Sequence, residues 1–364
     1  MRTENSIRVA VIGVGAFGRN HARVYHELAE EDAGAVEFVG IVDSDLARAT
    51  NIANEFGAKA FASLSELLNS AKPNAVSVAV PTVAHLEIGR ALMQAGVDVL
   101  IEKPLAANLV EADELIRLAK QNNRIAQVGQ LERFNPAVRA TIPLLKKPMF
   151  FEVHRLSIFT PRSLDVDVVL DLMIHDLDIV LWFMQSRPTP KAPIGTGVSP
   201  AYRNGKPLIR DLRAVGIPIL SPKVDIANVR VEFSSGCVAN FTASRVSTER
   251  VRKLRFFQPR QYVSLDYGRR DVFSLSVQPA DPKANDVARS VPGFDIALPS
   301  GMALVPWRPK VEDEEPLRAE LRAFLAAVRS RSGPPITLQD GRAALALALE
   351  ILAQIGQHAK RAGL

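Results

Sequence analysis

The sequence predicts an α/β protein with two domains. Residues 1–130 are predicted to form a doubly wound parallel sheet, and residues 131–364 an α+β domain with a large, mostly antiparallel, open-faced sheet. In the first part, short β-branched runs alternate with helical patterns, which is typical of parallel strands joined by crossover helices. Around Phe134 the pattern changes to strands that follow one another closely, which favours antiparallel pairing. A chain of 364 residues also exceeds the usual size of one core.

The predicted elements of the first domain alternate in order along the chain. The predicted strands are 7–13, 36–43, 75–82, 97–103 and 124–129. The predicted helices are 16–30, 46–56, 65–69, 85–95 and 110–121. Right-handed crossovers would join them into one sheet, and such sheets bind ligands at the carboxyl ends of their strands.

The second domain is predicted to contain a long strand, two strand pairs and four helices. The predicted strands are 150–159, then 224–233 paired with 237–247, and 253–258 paired with 261–267. Helices are predicted from Pro136, over 169–182, over 315–331 and over 340–360. Two segments rich in proline, 187–213 and 280–310, are predicted to be long loops, for which a lid or an interface arm is a plausible use.

Composition indicates an ordinary globular protein, with 47% apolar and 23% charged residues. The first residues lack a basic n-region and a cleavage site, and no apolar run reaches the roughly 18 residues that a membrane span needs. The one cysteine, Cys237, excludes an intramolecular disulfide and a multi-cysteine metal site. No His, Asp or Glu cluster has metal-ligand spacing. We therefore expect a cytoplasmic protein with no membrane partner and no metal.

Basic residues give the chain a net charge of +6 and concentrate in TERVRKLRFFQPRQ, residues 248–261. This segment suits a solvated sheet edge or subunit contact, an anionic ligand, or nucleic acid. Recognised nucleic-acid-binding motifs are absent from the sequence, so we expect no nucleic-acid partner.

A glycine-rich motif follows the first predicted strand and precedes the first predicted helix. It reads G-x-G-x-x-G, and in this context it is typical of a Rossmann dinucleotide site, in which a pyrophosphate meets the helix N-terminus. The candidate cofactor residues here are Gly13, Gly15, Ala16, Phe17 and Gly18. The alternatives are a glycine turn that only packs strand on helix, and a site for FAD or S-adenosylmethionine.

The second strand ends in Asp43, which would accept hydrogen bonds from the adenosine ribose hydroxyls, with Ser44 beside it. No arginine or lysine follows immediately to meet a 2′-phosphate. This favours NAD over NADP as the cofactor.

The stretch VLDLMIHDLDIVLW, residues 169–182, is predicted to be a helix that carries several ionisable groups in apolar surroundings. At 100° per residue, Asp171, His175 and Asp178 share one face within about 40°. Asp178 is expected to make structural hydrogen bonds. Asp176 points elsewhere and is expected to be solvated. Because burying unpaired charge is costly, the shared face needs a partner or a function.

A further segment with recognisable motifs is VPTVAHLEIGRALMQAGVDVLIEKPLA, residues 80–106. Together with the glycine loop and the D-x-x-x-H of Asp171 and His175, they resemble the glucose–fructose oxidoreductase, inositol dehydrogenase and MocA-type family over nearly the whole chain. The E-K-P signature is Glu102-Lys103-Pro104. Matches near the cofactor ribose are Val80, Pro81, Thr82 and His85. The resemblance implies NAD-dependent oxidation of a CH–OH group by a homodimer or homotetramer.

Within this family, residues 129–138, 165–181 and 225–257 are similar to a narrower branch, the UDP-N-acetylglucosamine 3-dehydrogenases of lipid A and lipopolysaccharide synthesis. That resemblance implies oxidation of the sugar 3-hydroxyl to a 3-keto sugar, with a transaminase as functional partner. Segment 187–213 departs from the branch as an insertion, which leaves the shape of the substrate mouth open. The alternatives are another nucleotide sugar, a free sugar or inositol as substrate, or a non-catalytic NAD-binding sensor.

The family resemblance also implies the catalytic residues. It places Lys103 and His175 beside the reacting carbon, with His175 as general base and Lys103 polarising the hydroxyl, or with these roles exchanged. Asp171 would hold the imidazole or a substrate hydroxyl; otherwise Asp171 and His175 form a purely structural pair. Further substrate candidates are Arg133, Asn135 and Arg155, with Arg162 and Ser163 before the helix. His21 is expected to be packed in the cofactor domain.

Overall fold

The computed structural model describes residues 6–32, 34–160, 166–185, 202–203, 206–207, 209–279 and 301–363. Contacts among these residues divide the chain into two compact units. The first unit contains the chain up to Phe134 together with Glu315–Ala346, and the second contains the other described residues. Arg162 and Ser163 lie outside the described residues.

The first unit contains a six-stranded parallel sheet, which confirms the predicted doubly wound fold. Its strand order is β3-β2-β1-β4-β5-β6. The strands are β1 (Ile7–Ile12), β2 (Val36–Val42), β3 (Ala60–Phe61), β4 (Ala75–Val78), β5 (Asp98–Glu102) and β6 (Ala126–Gly129). The helices are α1 (Ala16–Glu31), α2 (Leu46–Glu55), α3 (Leu64–Ser70), α4 (His85–Gln94) and α5 (Leu109–Gln121). Only β3, two residues long, was not predicted.

Helix α8 (Pro316–Ser330) returns to the first unit from late in the chain. Leu317, Leu321, Phe324 and Val328 belong to the same buried cluster as the side chains of β1 and α1. From the sequence we predicted that this helix belongs to the second domain. Its apolar period predicted a helix, but a period does not specify the sheet against which the helix packs.

The second unit contains an eight-stranded sheet in the order β10-β11-β12-β7-β13-β14-β15-β16. All neighbouring strands are antiparallel except β12 and β7, which are parallel. The strands are β7 (Phe150–Leu156), β10 (Ile209–Ile217), β11 (Ile226–Phe233), β12 (Val238–Ser244), β13 (Val251–Gln258), β14 (Gln261–Asp266), β15 (Asp271–Pro279) and β16 (Met302–Trp307). The further helices are α6 (Pro136–Thr141), α7 (Ile174–Gln185) and α9 (Leu338–Ala362), of which α9 belongs to the first unit up to Ala346 and to the second unit from Leu347. Strand β8 (Tyr202–Arg203) pairs with β9 (Lys206–Pro207). This confirms the predicted mostly antiparallel sheet.

Both predicted long loops contain an edge strand, so each prediction was wrong in part. Strand β10 begins inside 187–213, and β16 lies inside 280–310. Edge strands are hard to recognise because only one side is paired and few residues are buried: in β10 these are Leu212 and Gly216. Strand β15 was also not predicted. In the described ranges, no helix is long and apolar enough to span a membrane.

Candidate active site

The three glycines after β1 meet different constraints. A Cβ on Gly18 would lie 1.8 Å from the carbonyl oxygen of Gly13, and a Cβ on Gly13 would lie 2.6 Å from that of Ala79. Gly13 also has a φ of +83°, which favours glycine. A Cβ on Gly15, in contrast, would have no heavy atom within 4 Å. Protein packing therefore explains Gly13 and Gly18, while the space at Gly15 leaves the backbone open to an approaching ligand.

Helix α1 begins at this open position. Gly15 is its N-cap residue, and among the described residues no side chain caps it and no acidic residue occupies its first turn. The first N–H groups of a helix attract anions when they lack internal partners. Ala16 and Phe17 are exposed beside them. A dinucleotide pyrophosphate fits this combination of free N–H groups and a position without a side chain.

Asp43 directly follows β2 and is buried, with 7% of its surface exposed. Its Oδ2 atom accepts from the backbone N–H of Val14 at 2.7 Å, which joins the glycine loop to the end of β2. Burial alone would raise the pKa of Asp43. Hydrogen bonds from the guanidinium of Arg48 and from the backbone of Asp45 and Val14 outweigh burial and lower that pKa below its usual range. Asp43 is therefore a charged acceptor at neutral pH, while Ser44 beside it is exposed.

Arg48 corrects one sequence-based prediction. We expected no basic residue near the 2′-position of the adenosine ribose, but Arg48 donates to Oδ1 of Asp43 at 2.6 Å. Arg48 lies in the first turn of α2, where its backbone N–H is capped by Asp45. Arg48 is five positions after Asp43 in the sequence, and the first turn of α2 brings it back to the end of β2.

His85 joins the two loops that follow β4 and β5. Its Nε2 atom lies 3.0 Å from the carbonyl oxygen of Val80, and its Nδ1 atom lies 3.0 Å from that of Pro104. Burial lowers the pKa of His85, although these carbonyl groups act in the opposite direction. The imidazole therefore connects the segment of Pro81 and Thr82 to the segment that carries Lys103.

Glu102 is the last residue of β5 and Lys103 follows it, and the two side chains have different surroundings. The Oε1 atom of Glu102 lies 3.1 Å from Nε2 of His21, which is fully buried as expected, and its Oε2 atom accepts from the backbone N–H of Lys103. A Cβ at Gly129 on β6 would lie 2.5 Å from the carboxylate. Glu102 is thus held within the first unit, while Lys103 is half-buried at the carboxyl edge of the sheet.

The segment with Asp171 and His175 is helical as predicted, but its first turn is wider. A π-helical turn, Val169–Met173, leads directly into α7. Such turns are rare and occur frequently at functional sites. The wider turn means that the 100° spacing used to align Asp171 with His175 does not apply here. Both side chains are half-buried, and they remain one turn apart.

Asp176 is the clearest difference from the sequence analysis at this helix. It was expected to be solvated, but only 2% of its surface is exposed. Arg155 on β7 donates to both of its carboxylate oxygens, from Nε at 2.7 Å and from Nη2 at 2.9 Å. The prediction failed because the cation that compensates Asp176 comes from a different element. Asp178 is 1% exposed, as a structural residue should be.

The predicted substrate residues Arg133, Asn135 and Arg155 are all buried. Arg133 lies 3.4 Å from a carboxylate oxygen of Asp340. Asn135 caps α6 by accepting from Ala137 and donates to the carbonyl oxygen of Tyr267. Each of the three therefore has a protein partner, and a substrate contact by any of them stays a prediction.

The chain segment before the π-helical turn is anchored to the turn that precedes β11. The backbone N–H of Val224 donates to Asp167, and that of Val168 donates to the carbonyl oxygen of Val224. Arg245 donates to the carbonyl oxygen of Val166 and pairs with Asp225. This network was not predicted from the sequence, because its members are distant in sequence and carry no motif. Among the described residues, no three His, Cys, Asp or Glu side chains are grouped to hold a metal.

A parallel sheet in the order 3-2-1-4-5-6, an open glycine loop at a helix N-terminus and a carboxylate after β2 define a dinucleotide-binding protein. Comparison with known proteins agrees, since a family model described as "Oxidoreductase family, NAD-binding Rossmann fold" matches residues 7–130. The chain belongs to this oxidoreductase family, that of glucose–fructose oxidoreductase, inositol dehydrogenase and MocA. It is thus an oxidoreductase with NAD as cofactor.

Several relatives match over much of their length. The chain is 33% identical over 353 residues to the UDP-N-acetylglucosamine 3-dehydrogenase of Acidithiobacillus ferrooxidans, covering 95% of this chain and 96% of that protein. A solved structure of that dehydrogenase matches with a TM-score of 0.79 at 32% identity, over 96% of this chain and 97% of its own. The scyllo-inositol 2-dehydrogenase (NAD(+)) of Bacillus subtilis is 26% identical over 256 residues, which are 67% of this chain and 69% of that protein.

Proposed function

We propose that this protein oxidises the 3-hydroxyl of UDP-N-acetylglucosamine to the 3-keto sugar, with NAD as the oxidant. The observation that supports this substrate is the similarity to a UDP-N-acetylglucosamine 3-dehydrogenase over 95% of this chain. The match to the scyllo-inositol dehydrogenase covers less of both chains and is lower in identity. Another nucleotide sugar, a free sugar or inositol is the alternative that the experiment below tests.

The cofactor would be held by the first unit. Its pyrophosphate would lie over Gly15 at the N-terminus of α1, and the adenosine ribose at Asp43. Thr82 and Lys103, which lie on loops that His85 connects, would reach the nicotinamide half. When bound, NAD supplies the hydride acceptor, so the protein has to orient the alcohol and remove its proton.

In this proposal His175 is the general base for the hydroxyl proton, and Lys103 polarises and positions the same oxygen. An imidazole titrates near neutral pH and an ammonium group supplies a positive charge to the developing alkoxide, so the two side chains are complementary. Asp171, one turn before His175, orients the imidazole or a neighbouring hydroxyl. Arg133 and Asn135 are the proposed contacts to the remainder of the nucleotide sugar.

The proposal extends to partners and location. Oxidation of a secondary alcohol by NAD at neutral pH is commonly unfavourable, so a transaminase that consumes the ketone would drive the reaction. We propose a homodimer or homotetramer, supported by the family resemblance. We also propose a cytoplasmic location, in keeping with the free and buried thiol of Cys237.

The test is absorbance in the reduced-nicotinamide band after mixing the protein, NAD and UDP-N-acetylglucosamine with an amino donor and a transaminase. We expect absorbance to rise only when the UDP-sugar is present. Lys103→Ala and His175→Ala should each abolish the rise while NAD binding, measured separately by titration, persists.

Two results would contradict the proposal. If NAD binds but the UDP-sugar gives no rise, the proposed substrate is wrong, and a panel of other nucleotide sugars, free sugars and inositols should identify the actual one. If His175→Ala retains the wild-type rate on UDP-N-acetylglucosamine, the substrate assignment holds but the assignment of the base is wrong.

A further inference from the structure

Helix α7 is buried on nearly every side, and most of its residues are apolar. Each residue from Ile174 to Phe183 is buried except His175, which is half-buried. A helix with one apolar stripe takes its rotation from that stripe, because turning it would expose apolar surface. In α7, a turn about the helix axis would exchange one set of apolar side chains for another. Apolar burial therefore specifies the rotation of this helix only weakly.

The ion pair of Asp176 and Arg155 is a strongly directional contact of this helix. The two N–H···O bonds, at 2.7 and 2.9 Å, run in parallel from one edge of the guanidinium to both carboxylate oxygens. Paired bonds of this kind fix orientation as well as distance. The side chains are 2% and 5% exposed. A small rotation of α7 would break both bonds and leave two charges buried.

Arg155 is itself held rigidly. It lies on β7, which is an inner strand paired with both β12 and β13. Its guanidinium is 5.1 Å from the ring centroid of Tyr267, the residue whose carbonyl oxygen accepts from Asn135. The sheet therefore provides a fixed reference for Asp176.

Net stabilisation is a weak explanation for this pair. Replacing a buried ion pair with apolar residues of similar volume is often neutral or stabilising, so a net gain in stability does not account for the presence of the pair. We propose that Arg155 and Asp176 are positioning residues that fix the rotation of α7 and thereby the direction of His175. His175 is one residue before Asp176, about 100° away around the helix. This inference rests on the proposed function for the role of His175.

The test separates stability from position. The double variant Arg155→Met/Asp176→Leu removes both charges and keeps most of the volume. We expect it to fold with a Tm close to that of the wild type and to bind NAD normally. Its kcat should fall at least about tenfold, since misplacing a reacting group by about 1 Å can cost about 100-fold in rate. The control Glu152→Gln/Arg255→Gln removes a 3.2 Å ion pair between β7 and β13, on the face of β7 opposite to Arg155, and should leave kcat unchanged.

A second readout needs no substrate. The chain has six histidines, so the ring signals in a ¹⁵N NMR spectrum are few, and His175→Gln identifies the signal of His175. We expect one His175 environment in the wild type and a shifted or split signal in the double variant. This comparison remains informative if UDP-N-acetylglucosamine turns out not to be the substrate. Failure of the proposed function is thus distinguishable from failure of this inference.

Arg155→Lys provides a second variant that keeps the charge and removes the two-pronged geometry. The positioning role predicts a lower kcat and an altered His175 signal in a folded protein, whereas a charge-compensating role predicts neither. The proposal is overturned if Arg155→Lys and the double variant keep the wild-type His175 signal. The proposal is also overturned if the double variant Arg155→Met/Asp176→Leu turns over the same substrate as the wild type with an unchanged kcat.

Discussion

The guanidinium of Arg48 lies 2.6 Å from a carboxylate oxygen of Asp43, at the end of β2 where the proposed site holds the adenosine ribose. Asp43 is almost completely buried, whereas 45% of the Arg48 side chain is exposed. A 2′-phosphate at this position would be repelled by the carboxylate and attracted by the guanidinium. The pair therefore places a group that discriminates against NADP beside a group suited to bind it.

Removing the carboxylate should release that discrimination. In Asp43→Ala, the guanidinium of Arg48 becomes available to the 2′-phosphate, and a charged hydrogen bond of this kind is worth about 1.5–3 kcal/mol. We expect the ratio of the NADP Kd to the NAD Kd to fall by about 10- to 100-fold. Titration calorimetry with both nucleotides measures this ratio. The double variant Asp43→Ala/Arg48→Ala is the control, and a ratio as low as in the single variant would rule out Arg48 as the phosphate partner.

The glycine loop allows folding and cofactor binding to be tested separately. Gly18→Ala should destabilise the protein severely, because its Cβ would overlap the carbonyl oxygen of Gly13. Gly15→Ala should fold with a nearly unchanged Tm, because its φ of −63° suits alanine and the position is open. The same methyl group should weaken NAD binding at least about tenfold if a pyrophosphate contacts this backbone. Tm and NAD Kd of the two variants decide this, and normal NAD affinity in Gly15→Ala would contradict the proposed pyrophosphate position.

The parts of the fold that were predicted correctly have local signals. Gly13 to Gly18 combine a backbone motif with a strand before it and a helix after it. In the second sheet, inner strands such as β7 and β13 largely alternate buried residues with more exposed ones, which is a pattern that the sequence shows. Edge strand β10 lacks that alternation, since Leu212 and Gly216 are its buried residues. It was therefore mistaken for part of a loop.

The environment of the proposed site was less predictable, because it depends on partners that are distant in sequence or brought close by a helix. Asp176 was expected in solvent because its partner, Arg155, is 21 positions away on a strand. Arg48 was overlooked because only the first turn of α2 returns it to Asp43. The π-helical turn at Asp171 has no sequence signature that a regular 100° spacing can reveal.

The position of α8 in the first unit leads to a stability prediction. Phe324 is fully buried in the cluster formed with β1 and α1, so Phe324→Ala should cost about 3–5 kcal/mol. Hydrogen exchange should then increase in β1 and α1 and remain unchanged in β11 and β12. The matched variant Phe256→Ala, in the core of the second sheet, should give the opposite pattern. Increased exchange in β11 instead of β1 for Phe324→Ala would contradict the assignment of α8 to the first unit.

Asp225 should make the anchor of the α7 segment sensitive to acid. Its Oδ2 atom accepts from the backbone N–H groups of Ile219, Leu220 and Ser221 at 2.6–2.9 Å. Burial alone would raise the pKa of Asp225, but these bonds and the hydroxyl of Ser221 lower it from 3.8 to about 2. A lowered folded-state pKa stabilises the protein above the unfolded-state value, and this contribution is lost as the pH falls from about 4 towards 2.

The shift corresponds to about 2 kcal/mol at neutral pH. Asp225→Asn should therefore be less stable than the wild type in urea at pH 7, and the difference should shrink steadily from pH 4 downwards. The control is Asp211→Asn, at an exposed carboxylate on β10 that pairs only with exposed groups. It should change stability by less than about 0.5 kcal/mol at every pH. The difference in the free energy of unfolding between Asp225→Asn and the wild type could instead stay constant down to pH 3. Asp225 would then contribute packing and not the charge of its carboxylate.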